Sequence, residues 1–159
     1  MKSFFALLNY TKDVFVIKIS LLALTLMASN AMACPDLTGT YVSPAKQRMV
    51  LDQTQCTDIS VASKDINQKL ALNNQYVVVQ EDADMVASGR GVFNGDILVL
   101  EVQVKYKVLP PLPRMLIPVR AVNKYTQMMD GNLQEISTIY NDTNGVITSG
   151  KTLYKKQLN

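Results

Sequence analysis

Residues Val92 to Val108 read VFNGDILVLEVQVKYKV. From Leu98 onward the even positions Leu98, Leu100, Val102, Val104, Tyr106 and Val108 are apolar or aromatic, and the odd positions from Glu101 onward, Glu101, Gln103, Lys105 and Lys107, are polar. Side chains on a strand alternate between faces, so the pattern gives one dry and one wet face over roughly 33 Å at about 3.3 Å per residue. Asn94-Gly95 stands just before this strand, and both residue types accept the positive φ of a two-residue type I′ hairpin. The stretch therefore predicts a β-protein assembled from hairpins.

The same punctuation recurs on both sides of it. β-Branched or apolar runs at 38–42, 47–51, 57–62, 69–72, 75–80, 85–93, 96–108, 119–129, 133–141 and 146–155 are separated by Ser43-Pro44, Asn73-Asn74, the acidic stretch 81–84, Asn94-Gly95, Asp130-Gly131 and Asn144-Gly145. Only 64–72 admits a short helical turn. Consecutive strands joined by tight turns pair antiparallel, and a sheet of about eight to ten of them closes to remove its edges. The expected fold is all-β: an antiparallel up-and-down meander forming a closed or nearly closed barrel, with a two-sheet sandwich as the alternative.

Leu109 to Pro118 breaks the meander. Its prolines Pro110, Pro111, Pro113 and Pro118 supply no N–H and fix φ, so this is an extended connection. Met115, Leu116 and Ile117 place an apolar cluster in that loop. They either plug one end of the barrel, the preferred reading, or form a lid or a strip for a protein partner.

Residues 1–33 carry Lys2, Lys12 and Lys18, an apolar run from Ile19 to Ala28 and Ala31-Met32-Ala33. Basic residues, a short apolar core and an A-x-A site are the parts of a secretory signal peptide, and the core is shorter than the roughly 20 apolar residues a membrane span needs. Residues 34–159 remain as a single domain. Leaving out three Lys and one Asp takes the basic count from 16 to 13 and the acidic count from 13 to 12. A nearly neutral chain without a basic cluster gives no electrostatic footprint for nucleic acid. An outer-membrane barrel fails on its wall, because Arg120, Lys124, Glu135, Lys151 and Lys155 fall on both parities of the last strands; the processed chain is not expected to be transmembrane.

Both cysteines, Cys34 and Cys56, follow the leader. An even count in an exported chain favours a disulfide, which across this spacing stabilises by about 3 kcal/mol. The competing reading is a lipid on Cys34 at the start of the processed chain.

There is no histidine, which removes the commonest general base and the triads built on it. Glu81, Asp82 and Asp84 sit at a turn, where solvated carboxylates are ordinary and the spacing of a dedicated calcium loop is missing. Neither a metal nor a cofactor is expected, and the chain is expected not to be an enzyme.

The opening Cys34-Pro35-Asp36-Leu37-Thr38-Gly39-Thr40-Tyr41 resembles that of small exported bacterial proteins of uncharacterised function that begin Cys-Pro-x-Leu-x-Gly-x-Tyr. Gln53-Thr54-Gln55-Cys56 stands where their second cysteine motif falls. The start is more weakly similar to lipocalin-like barrels, whose first strand opens Gly-x-Trp; Tyr41 replaces that tryptophan. The resemblance implies a fold and no activity. Eight strands leave room for one small ligand, although side chains can fill the same space. The expected function is therefore a periplasmic or secreted barrel binding a small apolar ligand or lipid, with Tyr41, Leu98, Leu100, Val102, Val104, Tyr106 and Tyr140 as its candidate interior. The alternative is a structural or interaction module of the cell envelope with a protein partner.

Overall fold

The computed structural model describes residues 34–64 and 67–157; the leader reading of residues 1–33 falls outside them. Ten strands follow one another: β1 (Gly39–Val42), β2 (Arg48–Thr54), β3 (Asp58–Ser63), β4 (Asn67–Ala71), β5 (Val77–Glu81), β6 (Met85–Asn94), β7 (Ile97–Tyr106), β8 (Arg120–Gln127), β9 (Leu133–Tyr140) and β10 (Val146–Lys156). Every consecutive pair is antiparallel except β4 and β5, which do not pair, and β1 pairs with β10. The result is one up-and-down sheet curled into a nearly closed barrel, with its single open seam between β4 and β5.

The alternation that predicts β7 holds in its first half. Leu98 and Leu100 are buried, and in β6 the facing Phe93 and Gly91 share their side of the sheet. The strand ends at Tyr106, however, and Val108 is exposed beyond it. The hairpin before it also differs from expectation. Asn94 pairs with Ile97, so the loop residues are Gly95 and Asp96, and only Gly95 takes positive φ, +59°. A type I′ turn needs positive φ at both. At the last hairpin it is Asn144, φ +61°, that takes the left-handed conformation, ahead of Gly145. The helical turn allowed within 64–72 is instead β4, held in ladder register with β3 from Asp58↔Ala71 to Ala62↔Asn67.

One half of the interior is solid. Leu37, Tyr41, Leu51, Ile59, Leu98 and Leu133 are fully buried there, joined by Met49, Leu70, Leu100, Tyr125 and Tyr154. The segment before β1 seals this end. Cys34 is bonded to Cys56, and the Gln53 side chain donates to the Pro35 and Gln55 carbonyls while its Oε1 accepts from Leu37 N–H. Tyr41 lies beneath that segment and its hydroxyl donates to the Leu37 carbonyl at 2.9 Å. The disulfide occupies the sulfur that a thioether-linked lipid on Cys34 requires, so the lipid reading of Cys34 does not fit this structure.

The proline loop is only partly a plug. Ile117 is 5% exposed, whereas Met115 is 69% and Leu116 49% exposed, the latter two within a short 3₁₀ turn at Arg114–Leu116. Prolines on either side hold the turn, and Tyr106 Oη fastens it to β7 by donating to the Pro118 carbonyl. Of the expected three-residue plug only Ile117 is buried, and it joins neither the core cluster nor the cavity lining; a 3₁₀ turn cannot aim three consecutive residues at one interior.

Candidate ligand cavity

Strand register sets which side chains face one another across neighbouring strands. Leu98, Tyr125, Glu135 and Thr152 form one cross-strand row, and Leu100, Asn123, Ser137 and Gly150 form the next. The first row has large side chains; the second thins to Ser137 and to Gly150, where an added Cβ would meet nothing within 4 Å. Tyr125 and Glu135 of the first row and Asn123 of the second border open space, whereas Leu100, Ser137 and Gly150 do not. The hollow half is a cavity of about 740 Å³, within the size range of small-molecule sites.

Its walls include Met49, Val61 and the two phenol rings, and its floor is Asn123, Tyr125, Glu135 and Tyr154. Tyr125 Oη donates to Glu135 Oε1 at 2.7 Å and Tyr154 Oη donates to Glu135 Oε2 at 3.0 Å. Burial, with the Glu135 charge adding to it, raises both phenols: Tyr154 is pushed up to about 12 and Tyr125 further. Both therefore remain donors at neutral pH and fix the carboxylate in place. Asn123 Oδ1 is buried in the same floor with no hydrogen-bond partner among the described residues. An orphaned buried carbonyl costs about 1–3 kcal/mol, which an incoming donor would recover.

The mouth is basic. Lys46, Arg48 and Lys64 border the cavity and are exposed. Lys46 is set there by the β1–β2 turn, in which the buried Ser43 accepts from Lys46 N–H through its carbonyl and from Gln47 N–H through its Oγ. Lys46 takes φ +59° to close that turn, a conformation costing roughly 1–2 kcal/mol in a residue with a Cβ. Connections alternate between the ends of a meander, so the proline loop between β7 and β8 belongs to this same end.

The residues expected to form a ligand interior are distributed differently. Tyr41, Leu98 and Leu100 belong to the solid core. Val102 and Val104 are half-buried and do not border the cavity, and Tyr106 is engaged with the proline loop. Tyr140 is a correction. It lies on the opposite face, its ring under the Arg120 guanidinium at 4.2 Å. Glu135 and its two tyrosines carry no local signal that would have placed them together. Tyr125 and Tyr154 are two of six tyrosines, with Tyr41, Tyr76, Tyr106 and Tyr140, that in sequence could line a cavity or fill the core and rim, and a glutamate facing inward reads in sequence as a break in parity.

That outer face holds a second polar cluster. Glu101, 6% exposed, accepts from Arg90 Nε at 3.0 Å and from Arg90 Nη2, and Arg120 Nη1 approaches it at 3.6 Å. Tyr76 lies under Arg90 at 4.8 Å and accepts from Gln103 Nε2, while Arg90 also donates to Asn74 Oδ1. Burial would raise Glu101, but the hydrogen bonds from Arg90 and Tyr76 and the guanidinium charges outweigh it and hold the carboxyl below its usual range. The cluster thereby binds the connection between β4 and β5 to the wall of β6 and β7.

Other sequence features are accounted for locally. Asp82 Oδ1 accepts from Asp84 and Met85 N–H, which makes it a turn cap. No group of three or more His, Cys, Asp or Glu among the described residues can hold a metal ion. The amide of Asn141, within a glycosylation spacing, accepts from Gly145 N–H and Thr143 and donates to the Met115 carbonyl, so it is committed to its own turn. No helix among the described residues is long and apolar enough to cross a membrane. No family model, curated protein or solved structure matches the chain.

Proposed function

We propose that this chain is a non-catalytic exported barrel that binds one small amphipathic ligand in its hollow half. The observation that carries this reading is the 740 Å³ cavity, in which Met49, Val50, Val61, Ala62 and two tyrosine rings stand between a half-buried polar group at Asn123 and Glu135 and an exposed basic rim at Lys46, Arg48 and Lys64, a mixture of apolar wall and placed polar groups that suits a binding site. A location outside the cytoplasm is supported by the leader pattern and by the Cys34–Cys56 disulfide. The ligand is not purely apolar, because Glu135 and Asn123 would be stranded against a hydrocarbon.

Titration of the processed domain with the fluorescent probe 1-anilinonaphthalene-8-sulfonate tests the proposal. Saturable binding that is lost when Val61→Trp fills the cavity is the expected result. No saturable binding would overturn it.

A second reading, an interaction module of the cell envelope, is favoured by Val108, Leu109, Leu112, Met115 and Leu116, all exposed on the proline loop. A photo-crosslinker at position 115 that recovers one envelope protein, with no cavity binding, would support that reading.

A further inference from the structure

The two ends of the cavity carry opposite charge. Its floor presents acceptors: the Glu135 carboxylate, held by one hydrogen bond to each oxygen, and the unpartnered Asn123 Oδ1. A carboxylate has about four lone-pair sites, so two phenol donors leave half of its capacity open. Its mouth presents cations, Lys46, Arg48 and Lys64, and among the described residues Glu135 is the one carboxylate that borders the cavity. Between floor and mouth stand Met49, Val61 and the tyrosine rings, and the face of a phenol ring also attracts a cation.

We propose, resting on the cavity's being a ligand site, that it takes a zwitterionic ligand: an ammonium group on the floor against Glu135 and Asn123, an apolar spacer, and a carboxylate or phosphate at the mouth among Lys46, Arg48 and Lys64. A plain fatty acid satisfies only the mouth. Inserted head-first, its carboxylate would meet Glu135, a like charge in a poorly solvated site. An alkylamine satisfies only the floor and meets the repulsion of three cations on entry. Only a molecule with both charges fits both ends, and its two ion contacts share one ordering cost.

Four probes of equal chain length separate these cases: 8-aminooctanoate, octylamine, octanoate and octanol, titrated by calorimetry into the processed, oxidised domain. Wild type is expected to bind 8-aminooctanoate at least tenfold more tightly than the other three. Glu135→Gln is expected to lower affinity for 8-aminooctanoate and octylamine at least tenfold and to leave octanoate unchanged. The triple variant Lys46→Gln, Arg48→Gln, Lys64→Gln is expected to weaken 8-aminooctanoate and octanoate and to spare octylamine. Replacing the carboxylate of 8-aminooctanoate by a phosphate distinguishes the two anions at the mouth.

Should Glu135→Gln unfold, Asn123→Ala, which leaves both tyrosine–Glu135 hydrogen bonds in place, carries the same test with a severalfold loss on the two amine probes. Octanoate or octanol binding wild type as tightly as 8-aminooctanoate overturns the inference, as does an unchanged amine affinity in the floor variants. If none of the four binds while the fluorescent probe still does, the zwitterion assignment falls and the cavity reading survives. If the fluorescent probe also fails to bind, both fall.

Discussion

A Cβ on Gly91 would stand 2.7 Å from Leu72 Cδ2. This contact bridges the one place where the sheet is not hydrogen-bonded strand to strand, since Leu72 follows β4 and Gly91 belongs to β6. Asn74 N–H donates to the Gly91 carbonyl beside it, at 3.1 Å. The seam is thus closed by a leucine lying in the space that a glycine leaves.

Enlarging Gly91 should pry that seam apart. Gly91→Ile is expected to destabilise by about 1–3 kcal/mol through overpacking against Leu72 and Leu100, read as a lowered urea midpoint. Gly91→Ala should cost less, because the nearest atom is the free end of a flexible side chain. An unchanged midpoint for the isoleucine variant would show that the seam has slack.

The cluster around Glu101 should make stability sensitive to acid. Its carboxyl titrates below the usual range in the folded chain, so its contribution is present above the unfolded value of about 4.3 and is lost as pH falls through the lower folded value. Glu101→Gln is expected to cost about 1–3 kcal/mol at neutral pH, leaving Arg90 and Arg120 facing each other around an uncharged group. It should also flatten the loss of stability below about pH 4. Urea unfolding at neutral and acid pH measures both; a parallel pH dependence in the two proteins would contradict the assignment.

Alkali acts on the other carboxylate's partners with the opposite sign. Burial first, and the charge of Glu135 second, push Tyr154 up to about 12, whereas an unfolded tyrosine titrates near 10. A raised folded value means that stability is intact below about pH 10 and is lost as pH rises towards 12. Tyrosinate absorbance should show Tyr125 and Tyr154 titrating last, and their signals should move to lower pH in Glu135→Gln. An early, single-step titration of all tyrosines would rule out the buried floor.

The proline loop should respond unequally along its length. Ile117→Ala is expected to lose about 2–5 kcal/mol, the range for truncating a buried isoleucine, while Met115→Ser and Leu116→Ser, both on exposed side chains, should unfold within about 0.5 kcal/mol of wild type. Thermal or urea unfolding of the three variants decides it. Equal losses at all three positions would restore the larger plug.

The meander was legible because its signals are local. The Leu98 to Tyr106 alternation and the Gly- and Asn-containing reversals each act over a few residues, and together they specify antiparallel neighbours. The disulfide was legible from the even cysteine count together with the leader-like pattern of residues 1–33. The cavity floor was not, because Asn123, Tyr125, Glu135 and Tyr154 meet through the pairings of β8 with β9 and β9 with β10, and register across mixed-parity strands cannot be counted without knowing where each ladder starts. Tyr140 was misplaced for the same reason: one residue of offset moves a side chain through the wall. Ile117 was separated from Met115 and Leu116 by a 3₁₀ turn that proline spacing alone does not announce.

The pairing of β1 with β10 also sets the order in which the molecule can be completed. Eight of the nine ladders join sequence neighbours and can zip as soon as the second strand emerges, but the ladder between β1 and β10, which joins the two halves of the curl, waits for the last of the ten strands. Until Lys155 and Lys156 meet Val42 and Tyr41, the curl has two raw margins more than it keeps in its finished form, and such margins recruit other chains. Slow delivery of β10 should therefore favour aggregation, and holding β10 away from β1 should leave two separate sheets, β1–β4 and β5–β10.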